Sequence, residues 1–433
     1  MQSFAPSLAT QTLAQSGPDF NMKIVIATAV YYPMINGVAV FSHNLAVGLA
    51  RRGHDVMVIC PSQTGKNYTE TEEGVKVCYL RSVQAKVYPD QIHEIPEKKK
   101  WRPRLLYKHG FRVSVFPAIE IKKALDDFQP DVVHVQVSDP IGLSVVSYAR
   151  RHDIPVVTTE HNQPEVITEP LKMPKVVKKP VDAMLSSYFR NRQSKSDFVT
   201  MPTEQAIRIL LEKHELDVPI AAVSNGVDLT NFSPGKVKPD FYKKYQIPMN
   251  VPIVLYVGRI DPEKRVETII KAFVEARFKV PKAVMVIAGD GVDKARLQKI
   301  CEEMGINKEI MFLGRVTEDD LYDLYRIGTV FATASEIETQ GIVLIEAAAS
   351  GLPLIAVNKG AVSEVCHNDE NGYLCEPGNT SEISGALVKI LSDARLREKF
   401  AKNSVKIAKE HDFERTLDKF INIYHKVCKQ NMV

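Results

Sequence analysis

The strongest constraint on this chain is an alternation that occurs twice. Short runs rich in Val and Ile are separated by segments of helical period. In the first half the runs are 23–30, 55–60, 75–80, 131–137, 155–161 and 197–203. In the second half they are 253–259, 284–290, 310–315, 329–335, 352–358 and 372–377. A strand with one wet face alternates apolar and polar residues. These runs are apolar on both faces, so helices must cover both sides of a parallel sheet. The repeat predicts an α/β chain with two doubly wound, Rossmann-like domains. The stretch 224–252, "SNGVDLTNFSPGKVKPDFYKKYQIPMNVP", is rich in Asn, Gly, Pro and Lys and reads as the divide. The expected order is an extension over 1–21, a first domain over 22–228, a linker over 229–250 and a second domain over 251–410. Ligands of open α/β sheets bind beyond the carboxyl ends of the strands. Two such domains are expected to face each other across a cleft lined by motifs at those ends.

Bulk properties exclude several classes. The 433 residues are 45% hydrophobic and 25% charged, as in globular proteins, and no apolar run is long enough to span a bilayer. The first 21 residues lack the basic start and apolar centre of a secretory signal. Six scattered cysteines form no Cys-x-x-Cys, so neither a zinc site nor a redox pair is signalled, and reduced thiols in the cytoplasm are expected. The net charge of +4 has a location: residues 221–433 hold 29 basic and 29 acidic side chains, so the surplus lies earlier. It concentrates in 98–112, with seven basic residues and no acid, and in 172–195, with seven against Asp182. That is too local for a general nucleic-acid binder.

Four stretches carry candidate chemistry. In "ETQGIVLIEAAASGLP" (338–353), Glu338 and Glu346 stand eight positions apart in an otherwise small, apolar run. A carboxylate is costly to bury unless it is paired. Gly341 is expected to open a helix after a strand, leaving free amides and a helix dipole suited to a diphosphate. The two glutamates then hold sugar or ribose hydroxyls, or they are solvated helix and loop positions. In "VGRIDPEKRVE" (257–267), Gly258 turns the chain off its strand, and Arg259 and Lys264 fall in the following loop. The pair either neutralises a diphosphate leaving group or lies solvated beside Asp261 and Glu263. In "YYPMINGVAVFSHNLAVGLARRGHDV" (31–56), Pro33 and Gly37 shape a loop whose backbone can approach a ligand. It is not Gly-x-Gly-x-x-Gly, and "AGDGVDKA" (288–295) has Lys294 in place of the third glycine, so a nicotinamide enzyme loses support. In "TTEHNQPE" (158–165), His161 stands at a strand's carboxyl end and is either structural or part of a site.

In order and spacing these motifs resemble glycosyltransferase family 4, retaining enzymes of the GT-B fold. The resemblance runs from Met22 to the end, through "VSNGVDLTNFSP", "VGRIDPEKRVETIIKAF", "IAGDG", "FLGRV" and the Glu338-x7-Glu346 motif followed by "AAASGLPLIAVNKGAVSEV". It implies that Gly258, Arg259 and Lys264 belong to the donor site, the two bases gripping the donor diphosphate. Glu338 would hold hydroxyls of the donor sugar, with the amides near Gln340 and Gly341 close to sugar or phosphate. Glu346 would hold the ribose. Gly37 would approach the phosphate or acceptor, and His161 would contact the donor sugar near the reaction centre. The segment 411–433 matches a closing helix that returns to the first domain. The implied reaction moves a hexose from a UDP- or GDP-sugar with retention, Arg259, Lys264, Glu338 and His161 being the groups nearest the chemistry. The sequence has no Asp-x-Asp, in keeping with metal-independent transfer and no cofactor beyond the donor.

The basic stretches point to the acceptor. Lys99, Trp101 and Arg102, and Lys178 and Lys179, mix charge with apolar residues, as suits an anionic membrane surface. The segment between His161 and Ala206 resembles membrane-associated relatives that glycosylate diacylglycerol or phosphatidylinositol. A cytoplasmic enzyme, peripheral on the inner face of the cell membrane and acting on a glycerolipid, is therefore expected. A soluble sugar or anionic small molecule is the alternative acceptor, and a non-catalytic sugar-nucleotide or lipid-surface binder is the alternative of another class.

Overall fold

The computed structural model describes residues 21–32, 34, 36–84, 112–136, 139–161, 179–181, 183–184, 187, 190–191, 193–212 and 216–430. The chain forms two compact units, Met1–Val157 with Leu417–Val433, and Thr158–Thr416. The stretch 229–250 thus lies inside the second unit.

The first unit alternates strand and helix: β1 (Lys23–Ala27), α1 (Gly37–Arg51), β2 (Asp55–Pro61), β3 (Tyr68–Glu72), β4 (Val75–Leu80), β5 (Ser82–Gln84), β6 (Arg112–Ser114), α2 (Ala118–Phe128), β7 (Val132–Val135) and α3 (Pro140–Arg151). Its strands lie in the order β7-β1-β2-β4-β3, parallel except for the β3 edge. The β5 and β6 strands form a separate antiparallel pair. Both β1 and β2 are buried after their first residue, as the two-faced apolar runs require. The Asn36 side chain caps α1 by accepting the Ala39 N–H at 2.9 Å, and Asp139 caps α3 from the Gly142 N–H at 2.8 Å.

The second unit begins within β8 (Val156–Thr159) and continues through β9 (Phe198–Met201), α4 (Glu204–Leu211), β10 (Ile220–Ala222) and α5 (Pro239–Tyr245). The β9–β10 pairing is parallel. The α5 helix falls inside the stretch read as a linker, and its Phe241 is buried. Then come β11 (Ile253–Val257), α6 (Val266–Arg277), β12 (Val284–Ala288), α7 (Lys294–Glu303), β13 (Ile310–Gly314), α8 (Glu318–Ile327), β14 (Val330–Ala332), α9 (Ile342–Ala349), β15 (Leu354–Val357), β16 (Gly372–Cys375), α10 (Thr380–Ser392) and α11 (Ala394–Ala408). The last helix, α12 (Phe413–Gln430), ends the described chain.

Strands β11 to β16 make a six-stranded parallel sheet in the order β13-β12-β11-β14-β15-β16. Successive residues on each strand face opposite ways. Val254, Tyr256, Met285, Ile287 and Ile355 join a core with α6, α7 and α10. Leu255, Val286, Phe331, Leu354 and Ala356 join a second core with α8 and α9. The sheet is therefore covered on both faces, as doubly wound folds are. Strand order reverses between β11 and β14, so the loops leaving those two strands diverge to opposite faces and open a crevice. The 329–335 run is a strand only over Val330–Ala332, and the chain then turns into that crevice.

Candidate functional site

Two loops meet at the switch point. The first leaves β11 at Gly258, where φ is +151°, and runs through a 3-10 turn, Pro262–Lys264, into α6. The "AGDG" segment after β12 lies directly against it. The Gly258 N–H donates to the Ala288 carbonyl at 3.0 Å, and the Ile260 N–H to the Asp290 carbonyl at 2.9 Å. At Gly289, where φ is +135°, a Cβ would sit 1.8 Å from the Gly258 carbonyl oxygen, so any side chain would push the loops apart. The glycine pair read as a failed dinucleotide motif thus serves close packing of two backbones.

The second loop leaves β14 and carries Glu336, Glu338 and Gln340 into α9. Lys264 Nζ lies 2.6 Å from Glu338 Oε1, and both side chains are only 17% exposed. The reversal of strand order therefore brings together Lys264 and Glu338, 74 residues apart. Arg259, half exposed, is engaged by its own loop: it donates to Asp261 and to Glu263 Oε1, the latter at 2.8 Å. The exposed-pair alternative raised for Arg259 and Lys264 describes Arg259 here and not Lys264.

The glutamate loop is braced from behind. The Glu338 carbonyl accepts the Ala361 N–H at 3.1 Å. Glu336 lies between Lys359, at 2.7 Å, and Arg265, at 3.5 Å. The Thr203 hydroxyl, which also caps α4, donates to the Thr339 carbonyl at 2.9 Å. Gln340 is buried, with its side-chain amide donating to Ser224 Oγ at 2.6 Å and its oxygen accepting the Asn225 N–H at 3.2 Å. Its side chain thus ties the loop to the 224–225 segment. Gly341 adopts φ +77° and opens α9, whose N-terminus has no capping bond from a described side chain. An uncapped helix start favours an anion through its free amides and its dipole.

Glu346 is half-buried on α9. Its Oε2 accepts the Tyr325 hydroxyl at 2.6 Å. Burial raises its carboxyl to about 7, against the lowering effect of that hydrogen bond. His161, buried at the end of β8 in the same unit, is pushed down to about 3 by burial and is a neutral imidazole at ordinary pH. Gly37 belongs to the first unit and is exposed at the start of α1. Lys99, Trp101, Arg102 and Lys178 lie outside the described residues, while Lys179 is exposed.

Several residues of this site carry no signal in sequence. Tyr325 falls at an apolar position of an amphipathic helix and reads as core. Thr203, Ser224 and Lys359 join the site only through folding from distant segments. Asn225 belongs to "SNGVD", a motif whose order was informative but whose contact with Gln340 was not.

Residues 35–231 match the Glycosyltransferase Family 4 description, and residues 237–407 match Glycosyl transferases group 1. Among curated relatives, the alpha-monoglucosyldiacylglycerol synthase of Streptococcus pneumoniae is 25% identical, over 86% of this chain and 78% of its own. The N-acetyl-alpha-D-glucosaminyl L-malate synthase of Bacillus anthracis is 24% identical, over 95% of this chain and 99% of its own. Among solved structures, the sucrose-phosphate synthase of Thermosynechococcus elongatus aligns over 94% of this chain and 99% of its own, with a TM-score of 0.74 at 19% identity. The two family descriptions together take in most of the sequence, and the chain belongs to glycosyltransferase family 4, group 1: it is a nucleotide-sugar-dependent glycosyltransferase of the GT-B fold.

Proposed function

We propose that this enzyme transfers a hexose, with retention and without a metal, from a UDP- or GDP-sugar to a membrane glycerolipid. The observation that carries the donor half is the Lys264–Glu338 pair at the switch point, beside the uncapped start of α9. When a donor enters, Lys264 turns from the carboxylate to the diphosphate, and Glu338 is released to accept hydroxyls of the sugar. Arg259 leaves Asp261 and Glu263 for the phosphate. The two cations and the helix N-terminus then hold the charge that develops on the leaving diphosphate. Glu346 takes the ribose. His161, being neutral, offers the donor sugar a hydrogen bond and no charge.

The acceptor half rests on the surface of the first unit. Phe116 is 89% exposed, with φ at +50°, and Ile119 is 81% exposed at the start of α2. An aromatic left in water on a left-handed backbone carries two costs at once. Both residues follow directly on the acid-free basic stretch 98–112. Apolar side chains beside a basic segment suit insertion at an anionic lipid surface. Among the described residues no helix is long and apolar enough to cross a membrane. The diacylglycerol-directed relative supports this reading. The malate-directed relative, which spans nearly its whole length with this chain, supports a soluble anionic acceptor as the second one.

The test is donor hydrolysis and thermal shift over a panel of UDP- and GDP-sugars, with and without vesicles of phosphatidylglycerol and diacylglycerol. One nucleotide should raise the melting temperature, and vesicles should convert hydrolysis into glycolipid formation. The protein should sediment with the vesicles at low salt, and Phe116→Asp with Ile119→Asp should weaken that. Turnover on malate or a free sugar, with no vesicle binding at any salt, would move the acceptor to the soluble class.

A further inference from the structure

Glu346 is oriented by a residue that no motif marks. Tyr325 stands on α8 and is fully buried. Its ring packs edge-on against Phe232, with centroids 5.6 Å apart, and lies tilted against Phe331 at 6.1 Å. Close packing of this kind leaves a large ring one place to sit. The core thus sets the position of the Tyr325 hydroxyl, and the hydroxyl, at 2.6 Å from Oε2, sets the turn of the Glu346 carboxyl.

We propose that Tyr325 is a positioning residue for the donor site, holding Glu346 so that its remaining acceptor positions meet the two ribose hydroxyls of the nucleotide. The inference rests on the reading that Glu346 holds the ribose. A carboxylate has about four acceptor positions. Tyr325 occupies one on Oε2, leaving Oε1 and the second position of Oε2 for a vicinal diol. The hydroxyl also opposes the rise that burial imposes on the carboxyl. Without it the carboxyl would rise further, and more of it would be the protonated acid, which presents a donor where the diol requires an acceptor. Among the described residues, Tyr256 on β11 also raises the Tyr325 hydroxyl electrostatically. The neighbouring β15 and α11 reach the α9 core through Leu354, Ala356 and Ala408, which carry no charge.

The experiment measures binding of UDP, GDP and their 2′,3′-dideoxy counterparts by calorimetry. The proteins are the full-length wild type, Tyr325→Phe, Glu346→Gln and the double variant, at pH 7 and pH 9. The wild type should bind one ribonucleotide roughly tenfold more tightly than its dideoxy form, as hydrogen bonds to a charged group allow. Tyr325→Phe should lose most of that discrimination at pH 7 and regain part of it at pH 9. Adding Tyr325→Phe to Glu346→Gln should change nothing further. Equal weakening of ribo- and dideoxynucleotide binding in Tyr325→Phe would make the tyrosine a packing residue and overturn the proposal. So would unchanged discrimination, or a double variant worse than Glu346→Gln. A wild type that binds a nucleotide without reading its ribose overturns the role of Glu346 and this inference with it. A wild type that binds neither UDP nor GDP overturns the donor reading itself.

Discussion

Glu346 and His161 pull the stability of the second unit in opposite directions as pH changes. Burial raises Glu346 to about 7, so between roughly pH 4.5 and 7 the folded protein holds a proton that the unfolded chain has released. Stability from this group is therefore full at the acid end and falls as pH rises through 7. Burial lowers His161 to about 3, so below roughly pH 6.5 the unfolded chain binds a proton that the folded one refuses. Stability from this group is present above that pH and is lost as pH falls. The slopes cancel in part where the windows overlap, and single substitutions should separate them. Glu346→Gln keeps an acceptor for Tyr325 and should stabilise the protein at pH 8 by on the order of 1–2 kcal/mol, with little effect at pH 5. His161→Gln should blunt the loss of stability between pH 6 and pH 4. Chemical denaturation at five or six pH values measures both. A Glu346→Gln protein no more stable than the wild type at pH 8 would mean that the carboxylate is well solvated. Neither shift was legible in the residues themselves. "TEHN" and "LIEA" show a histidine and a glutamate, and only the packing around them says which protons they keep.

At the level of elements, the same residue type has unlike consequences at two turns. At Gly289 a Cβ would meet the backbone of Gly258, which cannot yield without moving β11. At Gly341 it would meet the end of the Leu344 side chain at 3.1 Å, which can turn aside. Gly289→Ala should therefore cost about 3 kcal/mol or more and abolish nucleotide binding. Gly341→Ala should cost only about 1 kcal/mol for its left-handed backbone and weaken the donor's diphosphate contact. Denaturant midpoints and nucleotide titrations of the two variants check the contrast, and equal costs would contradict it. The alternation of apolar runs and helices was readable because burial on both faces leaves a pattern in each strand. The α5 helix was not, because seven residues with one buried side chain leave no periodicity to see. The loop from Glu336 to Gly341 was half readable. Its carboxylates stand out, but the bonds that fix it come from Ala361 in the next strand–helix unit and from Thr203, Ser224 and Asn225, far away in sequence.

For the whole molecule, the closing helix matters more than its place at the end of the chain implies. Leu417–Val433 belongs to the first unit, although the preceding residues belong to the second. Leu417, Phe420, Ile423, Tyr424 and Val427 are all buried, at the three- and four-residue spacing of a single helix face. Phe420 packs against Phe41 at 5.9 Å, and the Tyr424 hydroxyl lies 2.7 Å from Nδ1 of buried His134. Arg52 and Asp418 pair at 3.0 Å on the surface. Five large side chains at about 1.5–3 kcal/mol each approach the full stability of an ordinary domain. A chain stopped after Thr416 should therefore lose the first unit while the second, with the Lys264–Glu338 pair and the start of α9, still folds. Calorimetry should show one transition where the full chain has the content of two units, and nucleotide should still raise the remaining one. Tyr424→Phe should be far milder, costing about 1 kcal/mol for one buried hydrogen bond, and Arg52→Ala milder still because its ion pair is exposed. If the truncated chain kept both transitions, the buried face of α12 would contribute little. If it lost both, the second unit would depend on the first for its stability, and nucleotide binding would vanish with the helix.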